Sequence, residues 1–131
     1  MNDCIFCKIV AGEIPSVKIY EDEKSLVIVS REPIQTGHVL VIPKTHSNTV
    51  FDIEDPLYSE LFQLVKKTAS IIQKAMSSVR VGLVVEGFSI PHTHIHLVPL
   101  NDAKDLDPKN AHEISPEEMK EVGEKIRNAL I

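Results

Sequence analysis

The chain has 131 residues, 43% hydrophobic and 25% charged, with Lys+Arg 14 against Asp+Glu 19 and a net charge of −5 with neutral histidines. That length suits one folded unit, 1–131, the apolar content is too high for disorder, and the acidic balance argues against a nucleic-acid binder, which shows a basic face. No apolar run approaches the roughly 20 residues that span a bilayer. The opening Met1-Asn2-Asp3-Cys4 lacks the basic and apolar regions of a signal peptide, so a cytoplasmic protein with no membrane partner is expected. With no Trp and 5% aromatic residues, the core must be built from Val, Ile and Leu.

In chain order, Cys4 to Val10 makes a short helical turn ended by Gly12, and Pro15 forces an extended chain after it. Val17 to Glu21 alternates as a strand, Asp22 to Ser25 turns, and Leu26 to Val29 is a buried β-branched strand. Arg31 to Gly37 is a loop, and His38 to Ile42 a third strand stopped by Pro43. Pro56 to Ser78 is the clearest helix: Asp55 is placed to cap it, and Leu57, Leu61, Leu64, Val65, Ile71, Ile72, Ala75 and Met76 recur at helical spacing. Val79 to Glu86 and His92 to Pro99 read as strands, Asn101 to Glu113 as an exposed polar loop. Ser115-Pro116-Glu117-Glu118 is a capping box that opens a terminal helix towards Leu130. About five strands with one long helix between the third and fourth predict an α+β fold on an antiparallel sheet.

The most informative stretch is Pro91-His92-Thr93-His94-Ile95-His96-Leu97-Val98-Pro99. In a strand, His92, His94 and His96 share one face about 6.6–6.8 Å apart, while Thr93, Ile95 and Leu97 take the other. Packing explains three alternating imidazoles poorly, since each buried ring needs hydrogen-bond partners. Two chemical readings follow: alternating histidines holding a catalytic zinc with water at the open position, or imidazoles working on phosphorus without metal, one attacking while the others hold oxyanions and protons. Spacing alone leaves both open. Cys4 and Cys7 have the C-x-x-C spacing of a metal half-site, with a disulfide and a redox pair as competing readings.

His92-Thr93-His94-Ile95-His96-Leu97-Val98 resembles the motif of the histidine triad (HIT) family, His-x-His-x-His followed by two hydrophobic residues. Cys4-Ile5-Phe6-Cys7-Lys8-Ile9 and Gly37-His38-Val39-Leu40-Val41-Ile42-Pro43-Lys44-Thr45-His46 are similar to the family's other blocks, in the same order. The likeness runs from about residue 3 to 100 and points to the branch of small nucleotide hydrolases and phosphoramidases.

The resemblance implies an enzyme that cleaves at the α-phosphorus of a purine nucleotide or nucleotide conjugate. It implies a nucleotidyl intermediate on His94, His96 as phosphate partner, His38 as support, and Ser89 as a further phosphate contact. A zinc-dependent hydrolase with the triad as ligands, and a non-catalytic nucleotide-binding protein, stand as alternatives. The resemblance also implies one structural zinc on Cys4, Cys7, His46 and His92, and a homodimer formed by Val79–Val85 and the long helix. His112 has no assigned role. Gly87-Phe88-Ser89 stands where many relatives carry Gly-Gln-Ser, and Ser30 where they carry an acid for the ribose hydroxyls. Phe88 is expected to stack on a base or cover the groove.

Overall fold

The computed structural model describes residues 3–130. It holds α1 (Ile5–Val10), β1 (Lys18–Glu21), β2 (Ser25–Val29), β3 (Val39–Pro43), α2 (Leu57–Met76), β4 (Arg80–Val84), β5 (Ile95–Leu100) and α3 (Pro116–Asn128). The strands form one antiparallel sheet in the order β1-β2-β3-β5-β4, giving the expected α+β architecture. β4 crosses to the edge and β5 turns back between β4 and β3, so the histidine-bearing strand lies inside the sheet.

β2 and β3 are buried at every position, which is why they read as unbroken apolar runs. One sheet face carries Val27, Val29, Val39, Val41, Ile95 and Leu97 against Leu61, Val65 and Ile72 of α2 and Val122 and Ile126 of α3. The opposite face carries Leu26, Ile28, Leu40 and Ile42 against Phe6 and Ile9 of the short α1, with Cys4, Val10, Ile14 and Ile90 partly buried around them. α3 lies so close to the chain entering β1 that a Cβ on Gly123 would meet Val17 Cγ1 at 2.5 Å. No described helix is long and apolar enough to cross a membrane.

Several expected boundaries move. α2 begins at Leu57 with Pro56 in the capping position; the Asp55 carboxylate instead accepts from the Ser59 amide and hydroxyl at 2.9 and 2.6 Å. Ser77, in the left-handed conformation (φ 53°), ends the helix two residues early. The polar segment after Leu100 is not wholly irregular: it makes 3₁₀ turns at Ala103–Leu106 and Pro108–Asn110, opened by the carboxylates of Asp102 and Asp107. Ser115 caps α3 as expected, its hydroxyl accepting from the Glu118 amide.

The most consequential difference lies in the triad. β5 starts at Ile95, so His92, Thr93 and His94 precede the regular strand rather than share one of its faces. The ladder with β3 ends at the pair Val41–Ile95, and Pro43, two residues on and so the next whose backbone faces β5, has no N–H to donate. The chain before Ile95 is held by other bonds, from the Thr93 amide to the Ser47 carbonyl (2.8 Å) and between the Ser47 and Thr93 hydroxyls (2.8 Å).

Candidate active site and metal centre

His92 leaves the strand direction and turns towards α1 and the loop after β3. Its Nε2 faces the Pro43 carbonyl at 2.9 Å; a carbonyl only accepts, so this nitrogen carries the proton and Nδ1 is left with its lone pair. Around that lone pair stand Cys4 Sγ at 3.2 Å, Cys7 Sγ at 3.4 Å and His46 Nδ1 at 3.2 Å, and Cys7 Sγ lies 3.3 Å from His46 Nδ1. Donor atoms from all four residues lie within 4.8 Å of one another.

Tetrahedral zinc with bonds of about 2.0–2.3 Å would separate its N and S ligands by about 3.3–3.8 Å, so the set fits that ion in number and chemistry and lies close to its spacing. The Pro43 carbonyl on the far nitrogen of His92 is the outer partner such a ligand takes. Burial, and then the neighbouring Cys4 thiol, push the Cys7 thiol up. The Cys4 sulfur also accepts from the Cys7 amide at the start of α1, so the C-x-x-C turn holds its own spacing. The two cysteines are free rather than joined in a disulfide.

His94 is 7% exposed, and its Nδ1 lies 2.8 Å from the His92 carbonyl. Nδ1 must therefore donate, and Nε2 keeps the lone pair. Phe6, two residues after one cysteine and one before the other, sets its ring 4.7 Å from that of His94 and 5.9 Å from that of His92.

His38 and His96 form a second hydrogen-bonded pair. The Ile34 amide donates to His38 Nδ1 at 2.9 Å, which leaves the His38 proton on Nε2. Nε2 in turn faces His96 Nδ1 at 2.9 Å, so His96 accepts there and carries its own proton on its Nε2. The rings of His94 and His96 stand 4.9 Å apart. Burial, and then the neighbouring His96, lower His38 to about 3. Burial and then His94 lower His96 to about 4, against a smaller upward pull from Glu86. Burial, above all, lowers His92, with the Pro43 carbonyl opposing. His38, His92 and His96 are thus held towards the neutral form, and backbone groups fix the tautomers of His92, His94 and His38.

Of the other expected residues, Ser30 is buried and its hydroxyl accepts from the Glu32 amide at 3.3 Å. Ser89 is exposed on the loop before the triad, and Phe88 is 93% exposed, stacked on no ring among the described residues. His112 is exposed, its Nδ1 facing only the Asn110 carbonyl. Sequence reasoning missed Pro43, Ile34 and Phe6. The first two act through backbone groups, which carry no side-chain signature, and Phe6 read as ordinary core although its place between the two cysteines ties it to the triad.

A cluster of four potential metal ligands built on a C-x-x-C turn abuts paired imidazoles on an antiparallel α+β sheet, and this combination defines a class. Residues 11–103 match the model of the HIT domain. The chain belongs to the HIT family. It is 37% identical over 131 residues to an adenosine 5'-monophosphoramidase of Schizosaccharomyces pombe, covering 97% of this chain and 98% of the relative. Among solved structures, a Hit-like protein from Bartonella henselae matches with a TM-score of 0.90 and 29% identity, over 98% of this chain and 97% of that one. A Zn-bound histidine triad family protein from Mycobacterium smegmatis matches with a TM-score of 0.82 and 28% identity, over 98% and 93%.

Proposed function

We propose that the protein is a nucleotide hydrolase of phosphoramidase type, acting at the α-phosphorus through His94. The observation that carries this reading is the His94–His92 hydrogen bond, which leaves the His94 Nε2 lone pair free for attack. The similarity to the S. pombe phosphoramidase supports the substrate class.

In the first step a bond forms from His94 Nε2 to phosphorus as the bond to the leaving group breaks, its electron pair departing with that group. A departing amine takes a proton from solvent. In the second step water attacks the nucleotidyl-histidine, the N–P bond breaks, nucleoside monophosphate leaves and the proton returns to solvent, so one water is consumed overall. The His92 carbonyl, accepting from His94 Nδ1–H, stabilises the positive charge the ring gains. His96 Nε2–H donates to a phosphoryl oxygen, and His38 holds His96 in that tautomer. Ser89, near the triad in the chain, is assigned a further phosphate contact, and Ser30 a nucleoside contact.

Cys4, Cys7, His46 and His92 would hold zinc, which supplies structural cross-linking of α1, the loop after β3 and the triad segment. The ligand set leaves His94 and His96 outside it, which favours chemistry by imidazole over a triad-bound catalytic zinc. Pairing of two chains through β4, an edge strand that carries exposed Leu83 and follows exposed Val79, is part of the same reading.

The test is rapid-quench assay of adenosine 5'-phosphoramidate, with mass spectrometry of the quenched protein. Monophosphate release and a nucleotidyl adduct are expected in the native protein, and neither in His94→Ala. Equal turnover by that variant would refute the mechanism.

A further inference from the structure

The loop after β3 and the triad segment meet on consecutive residues. His46 and His92 face each other through Nδ1 atoms 3.2 Å apart, within the metal-ligand cluster; one residue on, Ser47 and Thr93 face each other through hydroxyls 2.8 Å apart. Thr93 is 2% exposed and Ser47 is half-buried beside it. The Thr93 amide donates to the Ser47 carbonyl at 2.8 Å, and the Thr93 hydroxyl donates to the same oxygen at 3.3 Å. With its proton committed there, Thr93 Oγ1 accepts from Ser47 Oγ. Neither hydroxyl belongs to the cluster of potential metal ligands.

The peptide unit between His92 and Thr93 connects this contact to His94. A trans peptide is planar, and its N–H and C=O point in opposite directions. In this one the N–H is bound by the Ser47 carbonyl, and the C=O accepts from His94 Nδ1 at 2.8 Å. Turning the plane turns the acceptor that orients the His94 ring. The β3–β5 ladder ends at Ile95 and does not hold the plane. Bonding at the N–H also polarises the peptide, which makes the His92 carbonyl a stronger acceptor. If packing alone mattered, Val would fill the same buried space as Thr93 with no hydroxyl to satisfy.

Resting on the hydrolase reading above, we infer that Ser47 and Thr93 are positioning residues for the nucleophile. Their hydroxyl pair locks the peptide plane between His92 and Thr93, and that plane aims the Nε2 lone pair of His94. The metal-ligand cluster restrains the His92 side chain, whereas the hydroxyl pair restrains the backbone that follows it, so the two restraints are separable. Loss of the pair misaligns the attacking nitrogen without removing it, which lowers the rate of the chemical step more than it weakens substrate binding.

The test compares Thr93→Val, which keeps the shape and removes the hydroxyl, with Thr93→Ser, which keeps the hydroxyl, and with Ser47→Ala at the more open position. With adenosine 5'-phosphoramidate, Thr93→Val should lower kcat about five- to tenfold and change KM less than about twofold. Thr93→Ser should stay within about threefold of the native kcat, and Ser47→Ala should lose about three- to fivefold. The double variant Ser47→Ala/Thr93→Val should lose no more than Thr93→Val alone, because both members act through one bond. Every variant should keep the zinc content of the native protein. Hydrogen exchange followed by NMR needs no turnover: in Thr93→Val the amide of residue 93 and the His94 ring N–H should exchange at least about fivefold faster, with the amides of α2 unchanged. A native kcat in folded Thr93→Val or in Ser47→Ala, or unchanged exchange at both protons, would overturn this inference alone. Equal losses in Thr93→Val and Thr93→Ser would overturn it by tracing the effect to packing, and loss of zinc by tracing it to the metal. Failure of the native protein to release monophosphate would overturn the hydrolase reading and this one with it.

Discussion

Lowering the pH from 7 to 5 should destabilise the fold through histidines buried in their neutral form. An unfolded imidazole titrates near 6.5, whereas His38 in the folded chain does so at about 3. Above pH 6.5 both states are neutral and the group adds no pH dependence. Below it the unfolded chain takes up a proton that the folded one refuses, so stability falls with pH until about 3. Between pH 7 and 5 this linkage amounts to about 2 kcal/mol for His38, which is 2% exposed. His96, shifted to about 4 but partly open to solvent, contributes less, about 1 kcal/mol after discounting for screening. A loss near 3 kcal/mol is a large share of the roughly 5–15 kcal/mol that holds a domain together. Urea unfolding at the two pH values, at constant zinc, measures it, with an unchanged slope against denaturant showing that the states compared are the same. His38→Gln isolates the group: its amide keeps a donor towards His96 but takes up no proton. The variant should lose about 2 kcal/mol less than the native protein over the interval. Equal losses, within about 0.5 kcal/mol, would refute the assignment of His38 as a buried neutral ring.

Two further outcomes follow from the site. Cys4→Ser should lose bound zinc by metal analysis and melt at a lower temperature, while His94→Ala and His96→Ala retain one zinc per chain; loss of zinc in the latter pair would place the metal on the triad instead. Phe6→Ala should cost about 3–5 kcal/mol as a core truncation, whereas Phe6→Leu should fold and lower kcat roughly tenfold with KM little changed, because the ring that positions His94 is altered. A normal kcat in the folded Phe6→Leu protein would show that the aromatic contact does not position the nucleophile.

What could be read from the residues alone was whatever side-chain type and period encode. The buried strands β2 and β3, the long helix and the Ser115 cap follow from apolar runs, helical spacing and capping chemistry, all local properties. The motif of three histidines and the C-x-x-C turn pointed to His92, His94, His96, Cys4 and Cys7, whereas His38 and His46 came only with the family resemblance. The places where strand periodicity failed are those that long-range contacts decide. Proline in β3 ends the ladder opposite the triad and frees His92 to turn towards the cysteines, so the triad divides between two sites instead of lining one face. Tautomers, too, are tertiary facts: the carbonyls of Pro43 and His92 and the amide of Ile34 decide which ring nitrogens carry protons. Glu86 shows the same limit, since only the pairing of β4 with β5 lets the charge of an exposed acid act on His96. Sequence pattern determines which chemistry is present because it records side chains; tertiary structure decides how that chemistry is aimed, because backbone groups and cross-strand neighbours do the aiming.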